Sequence, residues 1–362
     1  MPRPLIASID LQALAHNFDL VKRQAPQSRI WAVVKSNGYG HGLIRVARAL
    51  RRADGLAVVD IADAVRLREL GIRKPILLMQ GVNDPAEIRA CAEDSLHTVI
   101  HSIEQVRMIE SLLRRRPLDV YLKMNSGMNR LGFPPSQIVD IYRRLTARLS
   151  LNSITLMTHF ADADGSGGVA EPLAQFLDAC SYLQGERCAA NSAAILRYPQ
   201  THLDWVRPGI ALYGSSPFAD QSASDLGLLP VMTFSSAVIA VQEVPRGARV
   251  GYGGTYVAPR DMRVGVIACG YADGYPRHAA EGTPVLVGGL RAPLIGRVSM
   301  EMITVDLSRL PEARVGSEVV LWGDGLPVDE VARCAGTVGY ELLTAVSARV
   351  PVEERRGLED VR

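Results

Sequence analysis

The stretch AVVKSNGYGHG, residues 32 to 42, joins an apolar segment to a lysine and a turn with three glycines. Residues 31–34 form a short, continuously apolar run, typical of a strand that is buried on both faces of a parallel sheet. Lys35 then stands at the C-terminal end of that strand, where α/β folds place their chemistry. The glycines let the backbone approach a ligand closely, and Tyr39 offers a hydroxyl in the same turn. We interpret Lys35 as an amine nucleophile that forms a Schiff base with a carbonyl, against the alternative of a solvated or structural lysine.

Short apolar runs alternate with amphipathic segments from residue 10 to about residue 225. The runs are IWAVVK, LAVVDI, PILLM, LHTVI, DVYLKM, ITLMTHF, RCAAN and DWVRPGI. Segments such as SIEQVRMIESLLRRR are long enough to be crossover helices between strands. Eight strands that alternate with helices over about 220 residues predict a (β/α)8 barrel of the TIM type, with a doubly wound open sheet as the alternative.

The pattern changes near residue 230, where strands with turn residues between them replace the alternation with helices. These strands are predicted in MTFSSAVIAVQEV, RVGVIACGY, TPVLVGG, APLIGRVSMEMITVDL and SEVVLWG. Only one convincing helix, around PVDEVARCAG, interrupts them. We therefore predict an α/β protein with a barrel domain over residues 1–230 and a mostly antiparallel, β-rich domain over residues 231–362.

Charge and cysteine usage exclude several classes of protein. Forty basic and 38 acidic residues give a net charge of +2, and the longest basic run, Arg114–Arg116, is interpreted as a solvated helix end and not as a nucleic-acid site. Five cysteines without a CxxC spacing indicate neither a disulfide framework nor a zinc site, and His97 and His101 in HTVIH lack a nearby acid. No segment has the roughly 20 apolar residues of a membrane span or the core of a signal peptide. We expect a soluble, cytoplasmic protein.

Residues at or just after the ends of other predicted barrel strands form a candidate site with Lys35. In chain order they are Lys123, Arg130, His159, Asn191, Ser192, Arg207, Gly209 and Ile210. Barrels often bind phosphate with the loops after strands seven and eight, where Ser192 offers a hydroxyl and Gly209 an unobstructed amide. An amine at one strand end and a phosphate site at two others indicate a cofactor with both an aldehyde and a phosphate, which is pyridoxal phosphate.

Eight motifs extend this interpretation over nearly the whole chain. They are VVKSNGYGHG, KMNSGMNRLGF, MTHFADAD, RPGIALYG, VGYGGTY, GYADGYPR, GRVSMEM and VGYELL, in order and at compatible separations. Together they resemble the alanine racemase family, whose members are barrel-type (fold type III) pyridoxal phosphate enzymes. The resemblance implies interconversion of L-alanine and D-alanine, either to supply D-alanine for cell-wall synthesis or to degrade it. It also implies a head-to-tail homodimer with shared active sites.

The resemblance further implies a role for each matching residue. Lys35 would hold the cofactor covalently, Arg207 would contact its pyridine nitrogen, and His159 would lie beside Arg207. Arg130 would lie near the phenolic oxygen of the cofactor and contact the substrate. The phosphate would be bound by Tyr39, Ser192, Gly209, Ile210 and Tyr340. The β domain of a second subunit would supply the catalytic residue Tyr252 and two substrate-binding residues, Tyr271 and Met300.

Two positions carry further expectations from the resemblance. Lys123 matches a lysine that some family members carry as a carbamate. Glu301 follows Met300 where an aspartate is usual, near the implied substrate entrance. We therefore expect Glu301 to affect fine specificity and access.

Racemisation must remove the α-proton from one face of the substrate and return a proton to the other. Two bases on opposite sides are the natural solution, and Lys35 and Tyr252 are the candidates. Arg207 bears on the reaction type, because an arginine at the pyridine nitrogen disfavours protonation there and weakens the electron sink. That favours a racemase over the alternative, an amino-acid decarboxylase of the same architecture. A third interpretation, a non-catalytic pyridoxal phosphate carrier, leaves Tyr252 without a function.

Overall fold

The computed structural model describes residues 3–112, 117–148 and 151–355, so the Arg114–Arg116 run lies outside the described residues. The first elements are strand β1 (Ile6–Asp10) and helix α1 (Leu11–Gln24). Eight parallel strands follow and close a barrel, which confirms the predicted (β/α)8 architecture over the open sheet. They are β2 (Arg29–Val33), β3 (Gly55–Val58), β4 (Ile76–Leu78), β5 (His97–Ile100), β6 (Leu118–Lys123), β7 (Leu151–Met157), β8 (Glu186–Cys188) and β9 (Trp205–Val206).

Helices alternate with the barrel strands, and aspartates cap several of them. They are α2 (Leu43–Ala49), α3 (Ile61–Glu69), α4 (Pro85–Glu93), α5 (Ile103–Leu112), α6 (Pro135–Arg148), α7 (Ala170–Ala179) and α8 (Ser192–Arg197). Asp10 accepts hydrogen bonds from two amides of the first turn of α1, and Asp84 does the same for α4. These amides have no partner inside a helix, so each cap fixes the residue at which its helix begins.

A second, mostly antiparallel sheet is built largely from the C-terminal part of the chain, as predicted. Its C-terminal strands are β10 (Met232–Val244), β13 (Met262–Ile267), β14 (Pro284–Val287), β15 (Leu290–Ile295), β16 (Ile303–Asp306), β17 (Glu318–Trp322) and β18 (Val352–Arg355). Between β10 and β13 the chain forms two short strands, β11 (Arg249–Val250) and β12 (Tyr256–Val257). The order across the sheet is β13-β16-β15-β14-β17-β10-β1-β18, and β13 also pairs with β10. The short strands β11 and β12 form a separate antiparallel pair.

Strand β1 belongs to this second sheet, although the sequence predicts residues 1–230 as the barrel domain. It pairs antiparallel with β10, where Ile9 lies opposite Met232, and parallel with β18, where Ala7 lies opposite Val352. A local pattern encodes which faces of a strand are buried, but it does not name a partner far away in the chain. The boundary near residue 230 itself stays a prediction.

In the described part of the chain two α-helices accompany the second sheet, and only one of them was expected. Helix α9 (Val328–Cys334) matches the predicted segment, whereas α10 (Gly339–Ala345) was not predicted as a helix. The predicted run APLIGRVSMEMITVDL divides into β15 and β16, and the turn between them carries Met300. No helix within the described ranges has the length and the apolar character that crossing a membrane requires.

Candidate active site

A cavity of about 540 Å³ opens at the C-terminal ends of the barrel strands. Residues that follow β2, β6, β7, β8 and β9 line it, together with one residue of α10. All nine residues predicted to bind the cofactor lie in this wall: Lys35, Tyr39, Arg130, His159, Ser192, Arg207, Gly209, Ile210 and Tyr340. The fold therefore gathers an amine, two phenols, a hydroxyl, an imidazole and two guanidinium groups around one space, whose volume suits a cofactor-sized ligand.

Lys35 lies at the end of strand β2 and is half-buried. The amide of Val34 still donates to the carbonyl of Ala57 at 2.8 Å, so the chain stays paired with its neighbour up to the residue before Lys35. Burial lowers the pKa of Lys35, and the positive charge of Arg130 lowers it further. A lower pKa leaves more of the amine neutral, and the neutral amine is the form that attacks a carbonyl.

Positive charge dominates the cavity. Burial, followed by the charges of Arg207 and Arg130, lowers the pKa of Lys123 to about 8. Burial and the same guanidinium groups hold the pKa of His159 well below its usual value, so this imidazole is neutral at pH 7. Among the described residues that line the cavity, Asp164 is the one carboxylate. The charge balance fits a ligand that carries phosphate and carboxylate groups.

The guanidinium group of Arg207 is buried and held from several sides. Nη1 donates to the sulfur of Cys188 at 2.8 Å, and Nη2 donates to the carbonyls of Thr158 at 2.8 Å and Ala189 at 2.9 Å. Nη2 also lies 3.2 Å from Nδ1 of His159. The two protons of Nη2 already point to these carbonyls, so the imidazole of His159 packs beside the guanidinium group. Arg207 therefore presents a positive charge that cannot easily move.

The hydroxyl of Ser192 joins the loops after strands β8 and β9. Its Oγ accepts hydrogen bonds from the amides of Gly209 at 2.8 Å and Ala211 at 3.3 Å. The Gly209 amide, expected to be unobstructed, is therefore already bonded to Ser192. A Cβ on residue 209 would overlap the hydroxyl of Tyr39, so only glycine leaves room there. Two hydroxyls beside closely packed backbone amides suit the oxygen atoms of a phosphate group.

The three residues expected from a second subunit do not join this cavity in their own chain. Within the described ranges, its wall contains none of Tyr252, Tyr271 and Met300. All three side chains are exposed, and Tyr252 is the most exposed at 71%. Tyr252 lies between the short strands β11 and β12, whereas Tyr271 and Met300 lie on turns of the second sheet. The amide of Tyr271 donates to the carbonyl of Ser299 at 3.1 Å, and the amide of Ala272 donates to that of Met300 at 2.9 Å. These hydrogen bonds hold the turns of Tyr271 and Met300 together.

Residues at the site that were not expected from the sequence include Cys188 and Asp164. Cys188 lies inside the predicted strand RCAAN, and nothing in that apolar run indicates that its sulfur meets Arg207. Asp164 lies in the motif MTHFADAD, five residues after His159 in the loop that follows a barrel strand. Its position in such a loop is a signal that could have identified it.

Comparison with known proteins gives consistent matches over the whole chain. Two family models match: "Alanine racemase, N-terminal domain" over residues 9–217 and "Alanine racemase, C-terminal domain" over residues 231–354. An alanine racemase of Burkholderia mallei is 52% identical over 353 residues, which cover 97% of this chain and 99% of that protein. An alanine racemase of Cupriavidus necator is 52% identical over 356 residues, which cover 97% of this chain and 95% of that protein.

Solved structures are similar over the same extent. The biosynthetic alanine racemase from Pseudomonas aeruginosa has a TM-score of 0.96 and 49% sequence identity, and the match covers 98% of this chain and 100% of that one. The alanine racemase from Acinetobacter baumannii has a TM-score of 0.94 and 38% sequence identity, and the match covers 98% of this chain and 100% of that one. Barrel and second sheet therefore match these structures together, over nearly the full length.

Proposed function

This chain belongs to the alanine racemase family and interconverts L-alanine and D-alanine, and we propose that it does so with pyridoxal phosphate bound in the Lys35 cavity. Lys35 would hold the aldehyde end of the cofactor, and the hydroxyls of Tyr39 and Ser192 would hold its phosphate. The lowered pKa of Lys35, the excess of positive charge and the narrow approach at Gly209 support this assignment. When bound, the cofactor would supply an electron sink that makes the α-proton of the amino acid removable.

Other residues of the cavity wall would orient the ligand by charge and contact. Arg130 would attract the phenolic oxygen and the substrate carboxylate, while Ile210 and Tyr340 would lie against the phosphate end. Arg207 would keep its charge at the pyridine nitrogen, and His159 would lie beside it. A fixed cation at that position would disfavour a proton on the nitrogen and would keep the electron sink weak, which would favour racemisation over decarboxylation.

Two bases would move the proton at opposite faces of the substrate. The neutral amine of Lys35 would remove or return the α-proton at one face. We assign the other face to Tyr252 of a second copy of the chain, with Tyr271 and Met300 beside it. The exposure of all three side chains, and their position outside the cavity of their own chain, support a homodimer with shared sites.

The placement of Lys35 in the cavity is the observation that carries this proposal, and borohydride trapping tests it. Purified protein with pyridoxal phosphate is reduced with borohydride and digested, and the labelled peptide is identified by mass. We expect the label on Lys35 in the wild type. Lys35→Ala should lose both the label and the racemase activity, and the control Lys22→Ala on α1 should keep both. A label on another lysine, or near-normal turnover in Lys35→Ala, would contradict the proposal.

A further inference from the structure

Four consecutive residues after Lys35 have left-handed backbone conformations. The φ angle is 54° at Ser36, 55° at Asn37, 61° at Gly38 and 51° at Tyr39. Glycine adopts this region freely, but the other three residues carry a Cβ and are strained there. Such strain persists only where the surrounding structure holds it in place. This left-handed turn, residues 36–39, therefore depends on contacts from outside itself.

His41 makes two of these contacts from a fully buried position. Its Nδ1 lies 2.8 Å from the carbonyl oxygen of Tyr39 and 3.1 Å from that of Gly38. Both partners are acceptors, so Nδ1 must carry the ring proton. Nε2 has no hydrogen-bond partner among the described residues, and a second proton there would have nothing to bind. Burial accordingly lowers the pKa of His41 to about 4, even though the two carbonyls act to raise it.

Aromatic rings hold the imidazole in this orientation. The ring centroid of His41 lies 4.8 Å from that of Tyr213, and Tyr213 stacks on Tyr39 at 4.6 Å. The hydroxyl of Tyr213 donates to the carbonyl of Val33 at 2.9 Å, which ties the stack to the end of β2. The imidazole is therefore a fixed donor, packed against Tyr213, which stacks on Tyr39 and is bonded to the strand that precedes Lys35.

We propose that His41 is a positioning residue for the cofactor: its Nδ1–H holds the left-handed turn and so fixes the Lys35 amine relative to the Tyr39 hydroxyl. This inference rests on the proposed function, in which these two groups bind the aldehyde and phosphate ends of one molecule. The distance between the Lys35 amine and the Tyr39 hydroxyl then decides whether one molecule of pyridoxal phosphate can contact both groups. Within the described ranges His41 is not part of the cavity wall, so it acts through the turn and not by contact.

Two substitutions test whether the hydrogen-bond donor of residue 41 must lie at the position of Nδ1, or whether any donor on this side chain is enough. The side-chain amide of His41→Asn can donate from about where Nδ1 lies, whereas the longer side chain of His41→Gln places its donor nearer to Nε2. Apo-protein of each variant is titrated with pyridoxal phosphate, and the dissociation constant is read from the absorbance. The matched control is His16→Gln, because His16 is an exposed histidine of α1 whose Nε2 lies 2.9 Å from the carbonyl of Gly227.

We expect near wild-type affinity for pyridoxal phosphate in His41→Asn and in the control. The glutamine variant should bind on the order of tenfold to a hundredfold more weakly, because the carbonyl of Tyr39 loses the donor that the imidazole supplies. Equal affinity in all proteins, or equal weakening in both position-41 variants, would overturn the inference. A wild-type protein that binds no pyridoxal phosphate would refute the proposed function as well, whereas tight binding by every variant refutes the role of His41 alone.

A measurement on the wild-type protein keeps the inference testable even if a variant fails to fold. Nitrogen-15 NMR of histidine-labelled protein distinguishes the two neutral tautomers and the charged form. We expect His41 to carry its proton on Nδ1 and to remain neutral at pH 5.5, where an ordinary histidine with a pKa near 6.5 is mostly charged. A proton on Nε2, or a charged ring at that pH, would overturn the assignment.

Discussion

The carboxylate of Asp273 is fully buried and lies 2.7 Å from Nη2 of Arg349. Arg3 reaches the same carboxylate, at 2.6 Å and 2.8 Å, and also donates to the carbonyl of Glu301 at 2.7 Å. Nη1 of Arg349 donates to the side chain of Glu301 at 2.7 Å. Glu301, which stands where the family resemblance implies an aspartate, is thus part of the ion-pair network of Asp273, Arg3 and Arg349. This network lies beside the turns of Tyr271 and Met300.

Replacing this carboxylate should destabilise the fold. We expect Asp273→Asn to lower the free energy of unfolding by about 2 kcal/mol, because charge-assisted hydrogen bonds are lost while both arginines remain partly exposed to solvent. Urea unfolding measures the change. The control Asp140→Asn removes an exposed carboxylate 3.7 Å from Arg143 and should cost less than about 0.5 kcal/mol. Equal effects of the two substitutions would contradict a structural role for Asp273.

The same carboxylate predicts a pH dependence of stability. Burial acts to raise the pKa of Asp273, but hydrogen bonds from Arg3, the Gly270 amide and Arg349 outweigh it and the pKa is lowered. Such a group stabilises the fold above its unfolded pKa of about 3.9 and loses that contribution as the pH falls through its folded pKa. The stability advantage of the wild type over Asp273→Asn should therefore shrink below about pH 4. An unchanged difference at pH 3 would argue against the ion pair.

Gly209 should tolerate no side chain while Tyr39 keeps its hydroxyl. We expect Gly209→Ala to weaken pyridoxal phosphate binding about tenfold or more, because the added methyl overlaps that hydroxyl and displaces the phosphate-binding loop. Titration of apo-protein gives the dissociation constant. Adding Tyr39→Phe removes the overlapping oxygen, so the double variant should bind more tightly than an additive loss predicts. Strict additivity would show that the two residues do not interact in this way.

The amine of Lys123 should react with carbon dioxide. With a pKa of about 8, a tenth of this amine is neutral at pH 7 and half of it at pH 8. A carbamate forms when the neutral amine attacks carbon dioxide and loses a proton, and its negative charge would lie near Arg130 and Arg207. Carbon-13 NMR with labelled bicarbonate should give a carbamate signal that grows from pH 7 to pH 8.5. Its persistence in Lys123→Ala, or its loss in the control Lys22→Ala, would exclude Lys123 as the source.

Mixing two inactive variants tests the shared site. If Lys35 and Tyr252 of different subunits form one site, homodimers of Lys35→Ala and of Tyr252→Phe should both be nearly inactive. Co-refolding the two gives mixed dimers in which one site carries both substitutions and the other carries neither. With random pairing about half of the dimers are mixed, so activity should recover to about a quarter of the wild type. No recovery would place both residues in the same subunit.

Much of the barrel could be predicted because most of its strands are short, largely apolar and followed by a helix. Lys35 could be identified because it interrupts that pattern at a strand end, where parallel folds place functional groups. The thirteen residues of β10 were predicted without error because apolar residues mark one face of this strand along much of its length. These features depend on neighbours within a few residues, which a local pattern records.

Contacts between distant parts of the chain could not be predicted in this way. Cys188 meets Arg207 only because two adjacent barrel strands bring them together. The donation from Gly209 to Ser192 depends on how two loops pack, and the sequence favoured a free amide. The imidazole of His41 appears in the sequence as one polar residue of a glycine-rich turn. Its burial and tautomer follow from rings and carbonyls whose arrangement only the folded chain defines.

Strand β1 has a consequence for how the protein is made. It leaves the ribosome before the barrel strands, whereas its partners β10 and β18 follow only after those strands have been synthesised. Closing that long loop carries an entropic cost that only later contacts offset, so sheets with such distant pairings form slowly. During synthesis we expect the barrel to fold while β1 still lacks a paired strand. A chaperone that shields an exposed strand edge would then be most useful before β10 emerges.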